Sequence, residues 1–92
     1  MSAFKKPLPL KIFAAENEKR EMYLSCFFES MESHSMRLKL KDRKNTFELG
    51  SDLSIEFIVA GDKYQFDSAL LSDGQDGFLK VRKPKVIYKR SL

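Results

Sequence analysis

Met36–Lys41 (Met-Arg-Leu-Lys-Leu-Lys) alternates strictly between apolar and basic residues, and this constrains the fold more than any other feature of the chain. Successive side chains of a β-strand point to opposite faces, so a period of two predicts a strand with one buried and one solvated face. Residues 53–59 and 63–71 continue the pattern, and 78–82 is a further apolar-rich segment. We therefore expect this half of the chain to form a mostly β, antiparallel meander.

Turn-forming residues separate the expected strands. Residues 42–45 and 72–77 contain Asp, Asn, Ser and Gly, which are typical of turns. Gly61-Asp62 has the composition of a two-residue hairpin turn, because glycine accepts the positive φ that such a turn requires. After Pro84, Val86–Tyr88 is the candidate for a last short strand.

The first third of the chain fits two interpretations. Met22, Cys26 and Ser30 lie four residues apart, which suits a helix, whereas 22–28 is rich in residues that favour strands. We predict a strand over 22–31, preceded by a short helix or turn through 14–20.

This prediction sets the expected domain organisation. Residues 1–21 would be an N-terminal arm with a short helix or turn. Residues 22–92 would be a small β-barrel domain, either on its own or as the first domain of a longer protein.

Length and composition exclude several classes of protein. With 92 residues, the chain is one small domain that cannot bury a core and also enclose a deep catalytic cavity. No apolar run approaches the roughly 20 residues that cross a bilayer, and the N-terminus lacks the apolar core of a signal peptide. We expect a cytoplasmic protein without a membrane span and without enzymatic activity.

The chain offers few residues for chemistry. Cys26 and His34 are the only cysteine and histidine, which excludes an intrachain disulfide and a zinc site built from these residue types. Cys26 falls in an expected core strand and His34 in a polar turn, and neither has the partners of a nucleophile or a general base. Residues 73–77 lack the ligand spacing of a calcium loop. We predict no catalytic, cofactor-binding or metal-binding residue.

Charge is distributed in blocks. Residues 36–45 carry five basic and one acidic side chain, 46–77 carry one and seven, and 78–92 carry six and none, within a net charge of +4. If the two basic blocks lie on neighbouring strands, they form one positive face suited to phosphate, an acidic partner or a membrane surface; otherwise they are only the solvated faces of strands. The candidate partner-facing or phosphate-facing surface consists of Lys80, Arg82, Lys83, Lys85, Lys89 and Arg90.

Ser35–Leu40 has the pattern of a GxRLxL strand, and Leu49–Phe57, followed by Gly61–Leu70, has that of an xxGxxLxLxF strand, a turn and a return strand. Through these strands, residues 22–90 resemble PilZ-type β-barrels. Phe78–Arg90 is similar to the end of the N-terminal, PilZ-like domain of flagellar-brake proteins, where a proline-containing run leads into the linker that binds cyclic di-GMP. The resemblance implies a small antiparallel, PilZ-like split barrel. It also implies a non-catalytic regulatory or interaction domain in cyclic di-GMP signalling and bacterial motility.

The family's ligand motifs are missing from the chain. No two arginines are four residues apart, so there is no RxxxR motif, and 30–35 lacks the Asp and Gly of DxSxxG. No ligand residue can therefore be transferred from the family. We expect cyclic di-GMP to be bound only through a neighbouring domain, and this barrel to contact that domain or a partner protein. The alternative is a basic, nucleic-acid-binding β-barrel, in which Tyr64, Phe66 and Phe78 would stack on bases.

Overall fold

The computed structural model describes residues 8–16, 22–41, 47–72 and 76–90, which form strands, turns and short connections. The strands in chain order are β1 (Pro9–Ala14), β2 (Leu24–Met31), β3 (Ser35–Leu40), β4 (Asp52–Val59), β5 (Asp62–Ser72), β6 (Phe78–Arg82) and β7 (Tyr88–Arg90).

The strands form a closed, antiparallel, six-stranded barrel with one additional strand. Around the barrel the order is β1, β2, β3, β6, β5 and β4, and β4 closes the ring by pairing with β1. The additional strand, β7, pairs with β5. The expectation of a mostly β antiparallel barrel is confirmed. Closure leaves none of the six barrel strands with an open edge, which removes the usual liability of a small sheet.

Alternate residues of each strand fill the barrel. The period of two that the sequence shows places one apolar set inside and leaves the other side chains outside. Phe66 lies at the centre, and its ring centroid is 6.2 Å from that of Phe57. The fully enclosed side chains are Phe66, Leu10, Ile12, Met36, Leu38, Leu53, Ile55, Leu70, Leu79, Val81, Cys26 and Ser68.

The N-terminal region differs from the expected arm. Pro9–Ala14 is strand β1, which pairs with both β2 and β4, so the barrel begins well before residue 22. Leu10 and Ile12 point into the core, whereas the sequence prediction placed residues 1–21 in an arm outside the barrel. Proline is tolerated here because Pro9 is the first residue of the strand. Ala15 and Glu16 form a turn, and the rest of the predicted helix or turn, 17–20, lies outside the described residues.

The order of the strands also differs from a simple meander. β3 pairs with β6 and not with β4, because the chain crosses from β3 to the far side of β1 before β4 begins. Only β4, β5 and β6 follow one another as neighbours in this half of the chain. The predicted turn at 42–45 and residues 73–75 of the loop at 72–77 lie outside the described residues.

The hairpin between β4 and β5 turns one residue earlier than expected. Val59 pairs with Asp62, so the two turn residues are Ala60 and Gly61. Both have positive φ, 52° for Ala60 and 84° for Gly61, as a type I′ turn requires. The last strand differs in the other direction, because it begins at Tyr88, two residues after the predicted start at Val86.

Candidate functional site

The pairing of β3 with β6 brings the two basic blocks of the sequence onto one side of the barrel. Arg37 lies opposite Lys80, Lys39 lies opposite Phe78, and the pairing ends at Arg82. These residues alternate with buried apolar neighbours, so their side chains face outward. We call the four outward cations Arg37, Lys39, Lys80 and Arg82 the basic face.

Two contacts make the close approach of these cations possible. Like charges directly opposite each other destabilise a sheet, but the Nζ of Lys80 lies 3.2 Å from Oε1 of Glu32, and the Ser35 hydroxyl donates to the same oxygen at 3.0 Å. The hydrogen bonds from Lys80 and Ser35 hold the pKa of Glu32 below its usual value. Glu32 thus compensates one of the two opposed charges.

Arg37 is held by an aromatic ring. Its guanidinium carbon lies 4.0 Å from the centroid of the Phe78 ring, which is a cation–π arrangement across β3 and β6. Lys39 is exposed beside this pair. The basic face therefore combines a planar guanidinium that stacks on a ring with an exposed ammonium, and both groups can bind phosphate oxygens.

The surface predicted from the sequence is divided by the fold. Lys80 and Arg82 belong to the basic face, and Lys83 is half-buried beyond it. On β7, Lys89 lies 3.4 Å from Asp62, and an Arg90 nitrogen donates to Oε1 of Gln65. The six cations are thus not one continuous strip, because the last two are engaged with β5 and its turn.

Arg82 and Lys85 meet at a crevice of about 230 Å³. Its other lining residues are Asp67, Val86 and Tyr88. The crevice exists because β6 and β7 occupy different ends of β5: β6 pairs at Leu70–Ser72, and β7 pairs at Lys63–Gln65. The chain between the two strands crosses the gap.

Ser68 stabilises the margin of this gap that lies next to β6. Its buried hydroxyl donates to the backbone carbonyl of Arg82 at 2.6 Å, which ties the end of β6 to β5. At the other margin, Gln65 accepts from Arg90 and donates to the Ser54 hydroxyl at 2.9 Å. The crevice is therefore bounded by two fixed strand ends.

A larger crevice, of about 280 Å³, lies elsewhere on the barrel. It is lined by Pro9, Lys11, Glu56, Phe57, Ile58 and Lys63. The carboxylate of Glu56 is largely buried there and lies 3.5 Å from the Nζ of Lys63. Because that carboxylate is paired within the chain, this crevice offers less to a charged ligand than the basic face does.

Cys26 and His34, the two residues considered as candidates for catalysis, lie in different surroundings. Cys26 is 1% exposed within the core, and burial raises the pKa of its thiol to about 12, so it stays protonated near neutrality. His34 is exposed in the turn before β3, where its Nδ1 lies 3.2 Å from the Ser33 hydroxyl oxygen. Within the described ranges, no group of three or more His, Cys, Asp or Glu side chains is placed to hold a metal ion.

Sequence reasoning missed the pairing that forms the basic face. The alternating cations were visible, but the partner of β3 was not, because 37 residues separate Leu40 from Phe78 along the chain. It also missed the crevice. The crevice forms because β6 and β7 pair with different ends of β5, and the segment that joins them does not pair with β5. The signal present in the sequence was Pro84, which interrupts the segment between β6 and the apolar run Val86–Tyr88.

In the part of the chain that the structure describes, there is no helix with the length and apolar character to cross a membrane.

The comparisons with known proteins identify no relative of this chain. No family model, curated protein or solved structure matches the sequence. The functional assignment therefore depends on the geometry of the basic face and its surroundings.

Proposed function

We propose that this barrel is a non-catalytic regulatory or interaction domain whose basic face binds a phosphate-bearing partner. The observation that carries the proposal is the β3–β6 pairing, which places Arg37, Lys39, Lys80 and Arg82 on one outward surface. Guanidinium and ammonium groups arranged in this way favour phosphate over neutral ligands.

A binding role suits the remaining chemistry of the chain better than a catalytic one. The Cys26 thiol is buried and protonated, so it is a poor nucleophile. His34 lies in an exposed turn with the Ser33 hydroxyl as its polar neighbour. By contrast, the basic face has two exposed cations, Lys39 and Arg82, on the same outward surface as Arg37 and Lys80.

The setting that we propose is cyclic di-GMP signalling, on the basis of the resemblance to PilZ-like barrels. Because the chain lacks RxxxR and DxSxxG, the main clamp on the dinucleotide would be supplied by a neighbouring domain or a partner protein. The basic face would contact the phosphates of the dinucleotide from the other side, and so would add a weak contact of its own to the binding that we expect through the neighbouring domain. Binding would change how the barrel and its neighbour are oriented, which is the regulatory output.

An amide chemical-shift titration of the 92-residue chain with cyclic di-GMP tests this proposal. We expect weak, salt-sensitive shifts at β3 and β6, which the double variant Lys39→Glu, Arg82→Glu removes. Lys11→Glu is the control, to be compared with the single variant Lys39→Glu, which changes the net charge equally; Lys11 is an exposed cation on β1, across the barrel from β6. Absence of shifts on β3 and β6, or an equal effect of the Lys11 variant, would contradict the proposal.

Nucleic-acid binding is the second candidate, and the Arg37–Phe78 contact favours it. A basic strand pair that presents an aromatic ring is the arrangement used by barrels that bind single strands. This function predicts that a single-stranded oligonucleotide binds more tightly than cyclic di-GMP. It also predicts a steeper fall of affinity with salt, since an oligonucleotide presents more than the two phosphates of the dinucleotide.

A further inference from the structure

Among the strands that the structure describes, β7 is the one with an open outer edge. β7 is the last strand in the order of the sheet, and it pairs with β5 along Lys63–Gln65 on one side only. No other described strand lies along its second side, whereas every strand of the closed barrel has neighbours on both sides. An open edge presents backbone N–H and C=O groups that can pair with an added strand.

Apolar side chains are exposed at the start of this edge. Val86, Ile87 and Tyr88 are consecutive and are 55%, 39% and 53% exposed. Single exposed apolar residues are common on protein surfaces, but a run of three beside an open strand is the pattern of a contact surface.

The charges around the edge are positive. Arg82 and Lys85 line the adjoining crevice together with Val86 and Tyr88, and Asp67 also lies there. Within the described residues, neither Arg82 nor Lys85 forms an ion pair. Lys89 and Arg90 on β7 itself are engaged with Asp62 and Gln65, so Arg82 and Lys85 are the cations that face the crevice. An occupant with carboxylates next to apolar side chains would match both features.

We propose that the edge of β7 binds an extended acidic and apolar segment of a partner protein as an added β-strand. The backbone of the segment pairs with β7, its apolar side chains cover Val86 and Tyr88, and its carboxylates face Lys85 and Arg82. This goes beyond the phosphate-binding function and uses a different surface, with Arg82 at the border of the two. A second copy of this chain is a poorer occupant, because pairing two β7 edges would bring like cations together.

A labelled peptide of about eight residues that alternates Glu with Val is the probe. In the 92-residue chain, we expect it to protect from hydrogen exchange those amides of 86–90 whose N–H groups point away from β5. A peptide with Lys in place of Glu should not bind. Two N-methylated versions test backbone pairing: alternate residues of a strand point their N–H groups to the same side, so methylation of one alternate set should abolish binding and methylation of the other should not.

Variants separate this surface from the basic face. Lys85→Glu should weaken peptide binding by roughly three- to tenfold, and Lys39→Glu should leave it unchanged. The opposite ranking would overturn the proposal and assign the peptide to the basic face, and so would equal binding of both N-methylated peptides. A concentration-dependent dimer with protection of 86–90 in the absence of peptide would overturn it in favour of a second copy.

Discussion

Cys26 and Glu32 have shifted pKa values for opposite physical reasons. Burial in the core raises the pKa of Cys26, because the thiolate would lose its hydration there. Hydrogen bonds at the surface lower the pKa of Glu32, because they stabilise its carboxylate. Each shift links the stability of the barrel to pH in a different range.

For Cys26 we predict a loss of stability at alkaline pH. Burial raises the pKa of the thiol from its ordinary value of 9.0 to about 12, so between these values only the unfolded chain releases the proton. The free energy of unfolding should fall there by up to about 1.4 kcal/mol per pH unit from this group. Urea unfolding at several pH values measures the slope. Cys26→Ala should have a shallower slope, and identical slopes for the two proteins would contradict the prediction.

For Glu32 we predict a contribution to stability that is lost in acid. Its folded pKa is lowered, so the contribution is complete above the usual value of 4.5 and disappears as the pH falls through the folded pKa. Glu32→Gln should therefore flatten the pH dependence of unfolding in this acidic range. Lys80→Gln should return the carboxyl pKa toward its usual value, as followed by NMR. An unchanged pKa in that variant would show that Lys80 is not the cause.

The strands and turns of the barrel depend on backbone geometry as well as on apolar pattern. In the β4–β5 hairpin, Ala60 occupies a left-handed position that suits Asn or Gly better. A Cβ at Gly61 would meet no atom within 4 Å, so a substitution there changes only backbone strain. This hairpin therefore isolates the energetic effect of positive φ.

Two substitutions in this turn should change stability in opposite directions. Gly61→Ala should lower the free energy of unfolding by about 1–2 kcal/mol, because an L side chain is strained at positive φ. Ala60→Asn should raise it by about 0.5 kcal/mol, because Asn tolerates that conformation. Chemical denaturation of both variants tests the pair. If Gly61→Ala raised the free energy of unfolding and Ala60→Asn lowered it, the turn would not be of type I′.

The barrel as a whole depends on a small central core. Phe66 is fully buried on β5 and contacts the Phe57 ring, and Cys26 and Ser68 are enclosed in the same interior. A domain of this size has about 5–15 kcal/mol of stability in total. The loss of one central aromatic side chain is therefore a large fraction of it.

We predict that Phe66→Ala destabilises the barrel by about 3–5 kcal/mol, through lost burial and the cavity that remains. Ile58 is the control, because it is a large apolar residue on neighbouring β4 that is 60% exposed. Ile58→Ala should change stability by no more than about 0.5 kcal/mol. Thermal and urea unfolding measure both. A similar loss in the two variants would argue against the central position of Phe66.

Local pattern was sufficient for most of the strands. The alternation at Met36–Lys41 and at 53–59 predicted β3 and β4 to within one residue, because side-chain direction in a strand depends only on position along it. The same reasoning predicted that Cys26 lies in a core strand, and the structure shows its side chain buried there. Composition also indicated one small β domain with surface cations.

Pairing was decided by the tertiary structure. The alternation of β3 does not show whether β4 or β6 is its neighbour. Any two strands with one apolar and one polar face have compatible patterns. The pairing with β6 places Arg37 opposite Lys80 and forms the basic face. The place of β1 in the barrel, the contact of Lys89 with Asp62 and the open edge of β7 likewise depend on contacts between distant segments. Such contacts are set by closure of the whole barrel, which a local pattern does not contain.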